Sequence, residues 1–279
     1  MLLLLLSPHG TENAARADAA IQATPAQTPD APAIQMLAAG EGDTAQLSYA
    51  FDPDENTVFK LSIVQTMSLE GPELKTEVHT SISSSARIIA SREDKQQLFI
   101  SFEDFAIQVR ADEQEVSIPA LDTLLRGLKV HLRADPRLAF TDDSMSVSVN
   151  PQVQRMISLL VDALRQSHPT LPEEAVALHA RWSNESAWQA PEQSGLALTL
   201  SRSFELTALS PASASIQAQL SLRDPTGRIQ GSGQLSSTIS RELMQLTKAN
   251  MDFELVLSSD APNDPTQTIA LSFSLERVD

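Results

Sequence analysis

Residues that could do chemistry are thinly spread along this chain. Asp52-Pro53-Asp54-Glu55-Asn56 places oxygen donors at alternate positions, the spacing with which a calcium loop begins. The pattern then fails, because Thr57 stands where the loop needs glycine and Ile63 where it needs a closing glutamate. A plain acidic turn is the better reading. The histidines, His9, His79, His131, His168 and His179, form no i, i+4 pair on a helix, and the chain has no cysteine. A zinc site or a thiolate nucleophile is therefore not expected. Asp142-Asp143 and Glu173-Glu174 are sequence neighbours in loop-like stretches, which does not by itself make a general acid and base. Serine is abundant but forms no nucleophile elbow, and Gly231-Ser232-Gly233 sits within a strand pattern rather than at a strand-to-helix turn. The expectation is a chain that is not an enzyme, with no catalytic residues, no metal site and no cofactor. Asn184-Glu185-Ser186 is a glycosylation sequon, informative only in a eukaryotic secretory setting. Trp182 and Trp188 could clamp a ligand between two rings; rings that cap the open end of a core are the commoner use of such residues.

One stretch carries a helical period. Over 150–168, Val153, Met156, Ile157, Leu160 and Leu164 recur at three- and four-residue steps and so line one helix face. Asn150 suits the N-cap, Pro151 the first turn and Pro169 the stop, while Arg165 and His168 place positive charge at the carboxyl end. Adding Leu159, Val161 and Ala163 widens the apolar arc to about 200°, more than a surface helix needs. Such a helix wants cover on more than one side.

The rest alternates at period two. A strand is expected over Gln46–Phe51, then Phe59, Leu61, Ile63, Met67 and Leu69 share one face, with a turn at Gly71-Pro72. Val78, Ile82, Ala86 and Ile88 follow, then Leu98, Ile100 and Phe102 on one parity and Phe105, Ile107 and Val109 on the other. A switch at Glu103-Asp104 predicts a β-bulge, which bends a strand and helps a sheet curl. Residues Ile118–Leu125 read as a short crossing, and Val130 and Leu132 lead towards the helix. The segment from His168 to Gln193 is the least regular. Beyond it, Leu198, Leu200, Phe204 and Leu206 share a face, as do Ile216, Ala218, Leu220 and Leu222. Ile229, Leu235 and Ile239 come next, then Met251, Phe253, Leu255 and Leu257, a turn over Asp260–Pro265, and Ile269, Leu271, Phe273 and Leu275. The fold expected is mainly β: a curved antiparallel sheet or half-barrel of about ten strands with one central amphipathic helix.

With 279 residues and 42% of them hydrophobic, the chain can bury a large core, aliphatic because aromatic residues are only 4%. A formal charge of −16 argues against nucleic acid and anionic membrane surfaces as partners. Leu2–Leu6 and the small-x-small pattern Ala15-Arg16-Ala17 read as a signal peptide over 1–17, imperfect because no basic residue precedes the leucines and the apolar run is short. Residues 18–43, rich in alanine and proline, read as a disordered linker. Residues 44–279 then form one β-rich domain in two halves, 44–149 and 195–279, joined by the helix and the irregular segment. No stretch reaches the length of a membrane span, so the expectation is export to the periplasm or the extracellular space.

An export signal, a proline-rich spacer, long one-faced strands and a central apolar helix together resemble bacterial envelope proteins with a LolA-like or LppX-like half-barrel. Leu171-Pro172-Glu173-Glu174-Ala175-Val176-Ala177-Leu178-His179-Ala180-Arg181-Trp182 also looks like a loop of uncharacterised exported bacterial proteins, with His179 in place of their glycine. The resemblance covers roughly 44–279 and implies a non-enzymatic protein whose concave sheet shelters an acyl chain. The anchor cysteine of many such relatives is absent. A lipid or other apolar small molecule is the expected partner, facing Val153, Met156, Ile157, Leu160, Leu164, Trp182 and Trp188. The alternative is a structural or protein-interaction module of the envelope with no ligand cavity.

Overall fold

The computed structural model describes residues 33–71, 75–94, 96–111, 114–116, 129–145, 151–189, 197–258 and 266–278. The signal-peptide pattern, most of the linker, the Asn150 cap, the crossing at Ile118–Leu125 and the turns at Gly71-Pro72 and Asp260–Pro265 lie wholly or partly outside these residues. The described chain forms fifteen strands and one helix, α1 (Pro151–Ser167). Thirteen of the strands belong to one antiparallel sheet, open at both ends, so the fold is the curved sheet with a helix that the alternation predicts, with more strands than the ten or so counted from sequence.

Two meanders make the sheet. The first runs β3 (Thr57–Glu70), β4 (Lys75–Ala90), β5 (Gln97–Ala111), β7 (Lys129–Asp135) and β8 (Ala139–Met145), with the short β6 (Gln114–Val116) beside β5. The second runs β10 (Arg181–Gln189), β11 (Ala197–Leu209), β12 (Ser213–Arg223), β13 (Ile229–Ser240), β14 (Gln245–Leu257) and β15 (Thr266–Val278). They fuse where β15 pairs with β3 from Thr266–Glu70 to Val278–Val58. Twelve strands side by side span about 50 Å at the usual inter-strand spacing, a width at which a twisted sheet curls. The predicted bulge contributes to that curl. Between the pairs Ser83–Ala106 and Ser85–Glu103 the β5 strand carries one extra residue, and Asp104 there takes a left-handed φ of 51°.

Three expectations are corrected. Order does not wait for residue 44: β1 (Ile34–Ala38) pairs with β10, and β2 (Glu41–Ala45) pairs with β9 (Val176–Leu178). Ile34 and Met36 pack against the core, and that contact orders a stretch whose composition alone reads as linker. Nor is 46–51 a strand. Leu47, Tyr49 and Phe51 alternate inward as a strand's would, but the Tyr49 N–H donates to Pro136 O (2.7 Å) and the Ala50 N–H to Met244 O (2.8 Å). Those acceptors lie on two different turns, so the segment is an extended plug rather than a ladder partner. Finally, the supposedly irregular 168–193 holds β9 and β10.

One core cluster draws on nearly every strand and on Ile157, Leu160, Val161 and Leu164 of α1. At the helix exit the chain turns inside this core, and four of its carbonyls are taken by side chains. Ser167 Oγ and His168 Nδ1 donate to Leu164 O, Ser237 Oγ to Ser167 O, Tyr49 OH to Pro169 O (2.9 Å) and Trp182 Nε1–H to Thr170 O (2.7 Å). His168 does not complement the helix dipole as a cation, as its position in sequence implies. Buried against Tyr49, Phe59 and Phe140, it is pushed down to about 4 by desolvation, only partly offset by its bond to Leu164 O, and is neutral at pH 7.

Two predictions follow from packing. The folded imidazole titrates near 4 against an ordinary 6.5, so between those values the unfolded chain holds more protons and stability falls as pH falls. Denaturation midpoints should drop between about pH 6.5 and about 4.5, with up to about 3 kcal/mol lost when the transition is complete. His168→Gln, which keeps a donor for Leu164 O, should flatten that slope; an equal slope in both proteins would refute a buried neutral imidazole. The second concerns Gly231, where an added Cβ would lie 2.5 Å from Phe253 Cζ. Gly231→Ala should cost roughly 1–3 kcal/mol by overpacking, and most of that cost should vanish in a Phe253→Leu background, measured as a double-mutant cycle.

Candidate functional site

The residues expected to face a ligand fall into two groups. Ile157, Leu160, Leu164 and Trp182 are 1%, 0%, 0% and 0% exposed, sealed in the core and leaving almost no surface to any ligand. Trp182 stacks on Phe204 at 5.6 Å between ring centroids and 15° between planes, while its N–H holds Thr170 O. It is part of the wall. Val153 and Met156 lie on α1 and Trp188 on β10, but their side chains fall outside the described residues. Trp182 and Trp188 stand six residues apart on one strand, about 20 Å of backbone.

The acidic run at 52–56 is a turn in which one carboxylate holds a backbone N–H and two meet arginines. Asp52 Oδ1 accepts the Asp54 N–H (2.9 Å), Asp54 pairs with Arg92 (2.7 Å), and Glu55 pairs with Arg277. The described histidines stay apart: His79 meets Thr66, His131 lies edge-on to Phe99, and His179 sits near Glu205. Among the described residues no group of three or more His, Asp or Glu is placed to share a metal ion.

A different feature emerges from strand register. Following partners across the sheet gives one inward-facing row: Ile34, Asn184, Arg202, Leu220, Gly233, Phe253, Leu271, Gln65, Thr80 and Val109. Four of these are polar, on the parity that is aliphatic elsewhere. The row divides two apolar regions. On one side lies the core around α1; on the other lies a second cluster of Leu198, Leu222, Ile229, Leu255 and Ile269, with Met67, Leu200 and Leu257 against it.

Arg202 and Asn184 are the sharpest members of this polar row. Directly opposite each other on β11 and β10, they have Cβ atoms about 5 Å apart. Arg202 Nη2 donates to Ser186 Oγ at 3.1 Å, and its buried Nε has no partner; among the described residues no carboxylate meets it. Desolvation pushes the guanidinium down to about 10, which still leaves it charged at neutral pH. Asn184 is 2% exposed, and neither its amide oxygen nor its amide nitrogen has a partner. The sequon is thus turned into the protein, out of reach of a glycosylating enzyme in the folded state. An open groove of about 480 Å³ crosses β1, β10, β11 and β12, lined mostly by the outward-facing neighbours of the row, Glu185 and several serines among them, as well as by Asn184, Arg202 and Leu220.

Reading the sequence for apolar residues passes over this row. The available signal was a lone arginine on the apolar parity of Leu198-Thr199-Leu200-Ser201-Arg202-Ser203-Phe204. Gln65, between Ile63 and Met67, is a weaker signal of the same kind.

No family model and no curated protein matches the sequence. Among solved structures the chain is similar to lipovitellin, in a structure concerned with lipid–protein interactions, at a TM-score of 0.45 and 10% identity over 82% of this chain and 25% of that one. It is also similar to an outer membrane channel from Pseudomonas putida F1, at a TM-score of 0.21 and 10% identity over 82% of this chain and 98% of that one. The chain thus spans about a quarter of the lipovitellin chain, and both scores are too low for the likeness to bear on function.

If Arg202 serves the fold, replacing it must destabilise the chain. If it is a charge held against the fold's interest, an apolar side chain of similar length relieves a desolvation cost. Arg202→Met is expected to leave stability unchanged or raise it by about 1–3 kcal/mol in urea denaturation. A clear loss would mark Arg202 as structural.

Proposed function

We propose that this chain is a non-enzymatic exported protein that shelters a lipid or other apolar ligand against the concave face of its sheet, as the half-barrel likeness to LolA and LppX implies. The observation that carries this reading is the second aliphatic cluster. The inner face does not end where α1 stops covering it. Leu198, Leu200, Leu222, Ile229, Leu255 and Ile269 continue the apolar parity of β11 to β15 towards the other end of the strands. At 157–164 the helix and the sheet already fill each other's surface; Leu198, Leu222, Ile229, Leu255 and Ile269 are buried as well, so the ligand belongs at the margin of this cluster, past the polar row, where Met67, Leu200 and Leu257 are only half-buried.

A second reading, an envelope module that binds another protein, has one observation in its favour. β1 and β8 end the strand order, each with a single strand neighbour among the described residues, and Leu37 on β1 is 51% exposed. An open edge of this kind can accept a partner strand.

The full chain, stripped of lipid under mild conditions, should bind the uncharged probe N-phenyl-1-naphthylamine saturably, with a rise in fluorescence. Leu222→Glu and Leu255→Glu, which place a carboxylate on the second cluster, should abolish that rise. A wild-type chain that shows no saturable binding of an uncharged probe would leave the edge-strand reading in its place.

A further inference from the structure

We propose that the polar row is a headgroup site and that the ligand is an anionic single-chain amphiphile, its carboxylate or phosphate on Arg202 and Asn184 and its alkyl chain along the second cluster. This rests on the apolar-ligand reading and names the ligand's chemical class.

A guanidinium taken from water without a counter-charge is costly, and folded chains rarely tolerate it unless something pays it back. Arg202, half-buried as a residue, recovers one hydrogen bond, to a neutral serine, and keeps a buried Nε–H unmatched. Asn184, its cross-strand neighbour, leaves two donors and an acceptor unmatched with 2% of its surface exposed. The two side chains stand on neighbouring strands yet do not bond to each other, so both amide and guanidinium are available to a third group. That group must be acidic to offset the charge. It must also be planar or multi-oxygen to use the guanidinium fork, which both carboxylate and phosphate satisfy.

The apolar half of the ligand follows from the same strands. From Arg202, the inward positions of β11 continue as Leu200 and Leu198, about 13 Å of strand, flanked on β12 by Leu220 and Leu222. A headgroup on the polar row therefore directs a single chain into the second cluster. It leads away from the sealed core around α1.

The test uses the lipid-stripped full chain and four compounds sharing a dodecyl chain: laurate, dodecyl phosphate, dodecanol and dodecyltrimethylammonium, with inorganic phosphate alone as a fifth. Laurate or dodecyl phosphate should bind about 10- to 100-fold tighter than dodecanol, the worth of charge-assisted hydrogen bonds at a buried site, and the cationic compound weakest. Whichever anion binds tighter identifies the headgroup as carboxylate or phosphate. Arg202→Met should bring the anions down to the affinity that dodecanol shows for the unaltered chain. Asn184→Asp, which supplies an internal carboxylate to Arg202, should do the same by occupying the guanidinium, and keeps the test open if Arg202→Met does not fold. Equal affinity for laurate, dodecyl phosphate and dodecanol, or anion binding that survives both variants, overturns the headgroup site while the apolar reading stands. Inorganic phosphate that binds as tightly as dodecyl phosphate also overturns it, since the site would then take an anion without a chain. Failure of every dodecyl compound removes the apolar reading itself, and this proposal with it.

Discussion

Everything in this structure depends on keeping water off one face of a very wide sheet. Alternation fixes which side of each strand is apolar, and because thirteen strands share one sheet, those sides merge into a single continuous surface. A surface of that size cannot be covered by side chains closing on themselves, so the sheet curls and takes other elements into its concavity. Helix α1 is one cover and the 46–51 plug is another, with Leu47, Tyr49 and Phe51 turned inward. Burying the helix exit creates a second obligation, since backbone carbonyls there lose water too. Tyr49 and Trp182 discharge it by spending their polar ends on Pro169 O and Thr170 O while their rings fill the core.

Against that background, three arginines show how the fold treats buried or half-buried positive charge. Arg87 lies in a two-bond pairing with Glu103 at 3.0 and 3.1 Å, and the carboxylate is held below its usual range by the guanidinium beside it. Arg277, also mostly buried, meets Glu55 and Gln245 Oε1. Arg202 has only a serine. The first two are solutions in which the chain supplies its own counter-group. The third is a place where the fold carries a cost that its own side chains do not cancel, and local conflicts of this kind concentrate where a sequence serves something besides folding.

Much of this was legible in the sequence, for a physical reason. Period-two alternation is set by the pleat alone, so Phe59, Leu61 and Ile63 announce β3 without any knowledge of its partners, and the parity switch at Glu103-Asp104 announces the bulge. Helical period likewise announces Ile157, Leu160 and Leu164. What stayed hidden depends on which strands meet. The plug at 46–51 has a strand's alternation but hydrogen-bonds to two turns remote in sequence, and β10 lacks apolar alternation because Asn184 and Ser186 occupy its inward positions beside Trp182. The polar row exists only in register, since its members come from strands far apart in the chain. Asn184 read alone is a sequon, and Arg202 read alone is an interruption among leucines.

The contrast between His168 and Arg202 bears on why an arginine stands in this row. Burial acts on both in the same direction, lowering the affinity for the proton. An imidazole can answer by letting the proton go: at about 4, His168 is neutral in ordinary conditions and becomes one more ring among Tyr49, Phe59 and Phe140. A guanidinium starts so high that the same desolvation, bringing it to about 10, leaves it fully charged. A lysine could also have shed its proton on burial. Arginine is the one basic side chain that fixes a permanent positive charge in a dry place, and it does so with a flat array of donors. On a face otherwise built of leucine and isoleucine, that combination serves attraction of an acidic oxygen group better than it serves cohesion of the sheet.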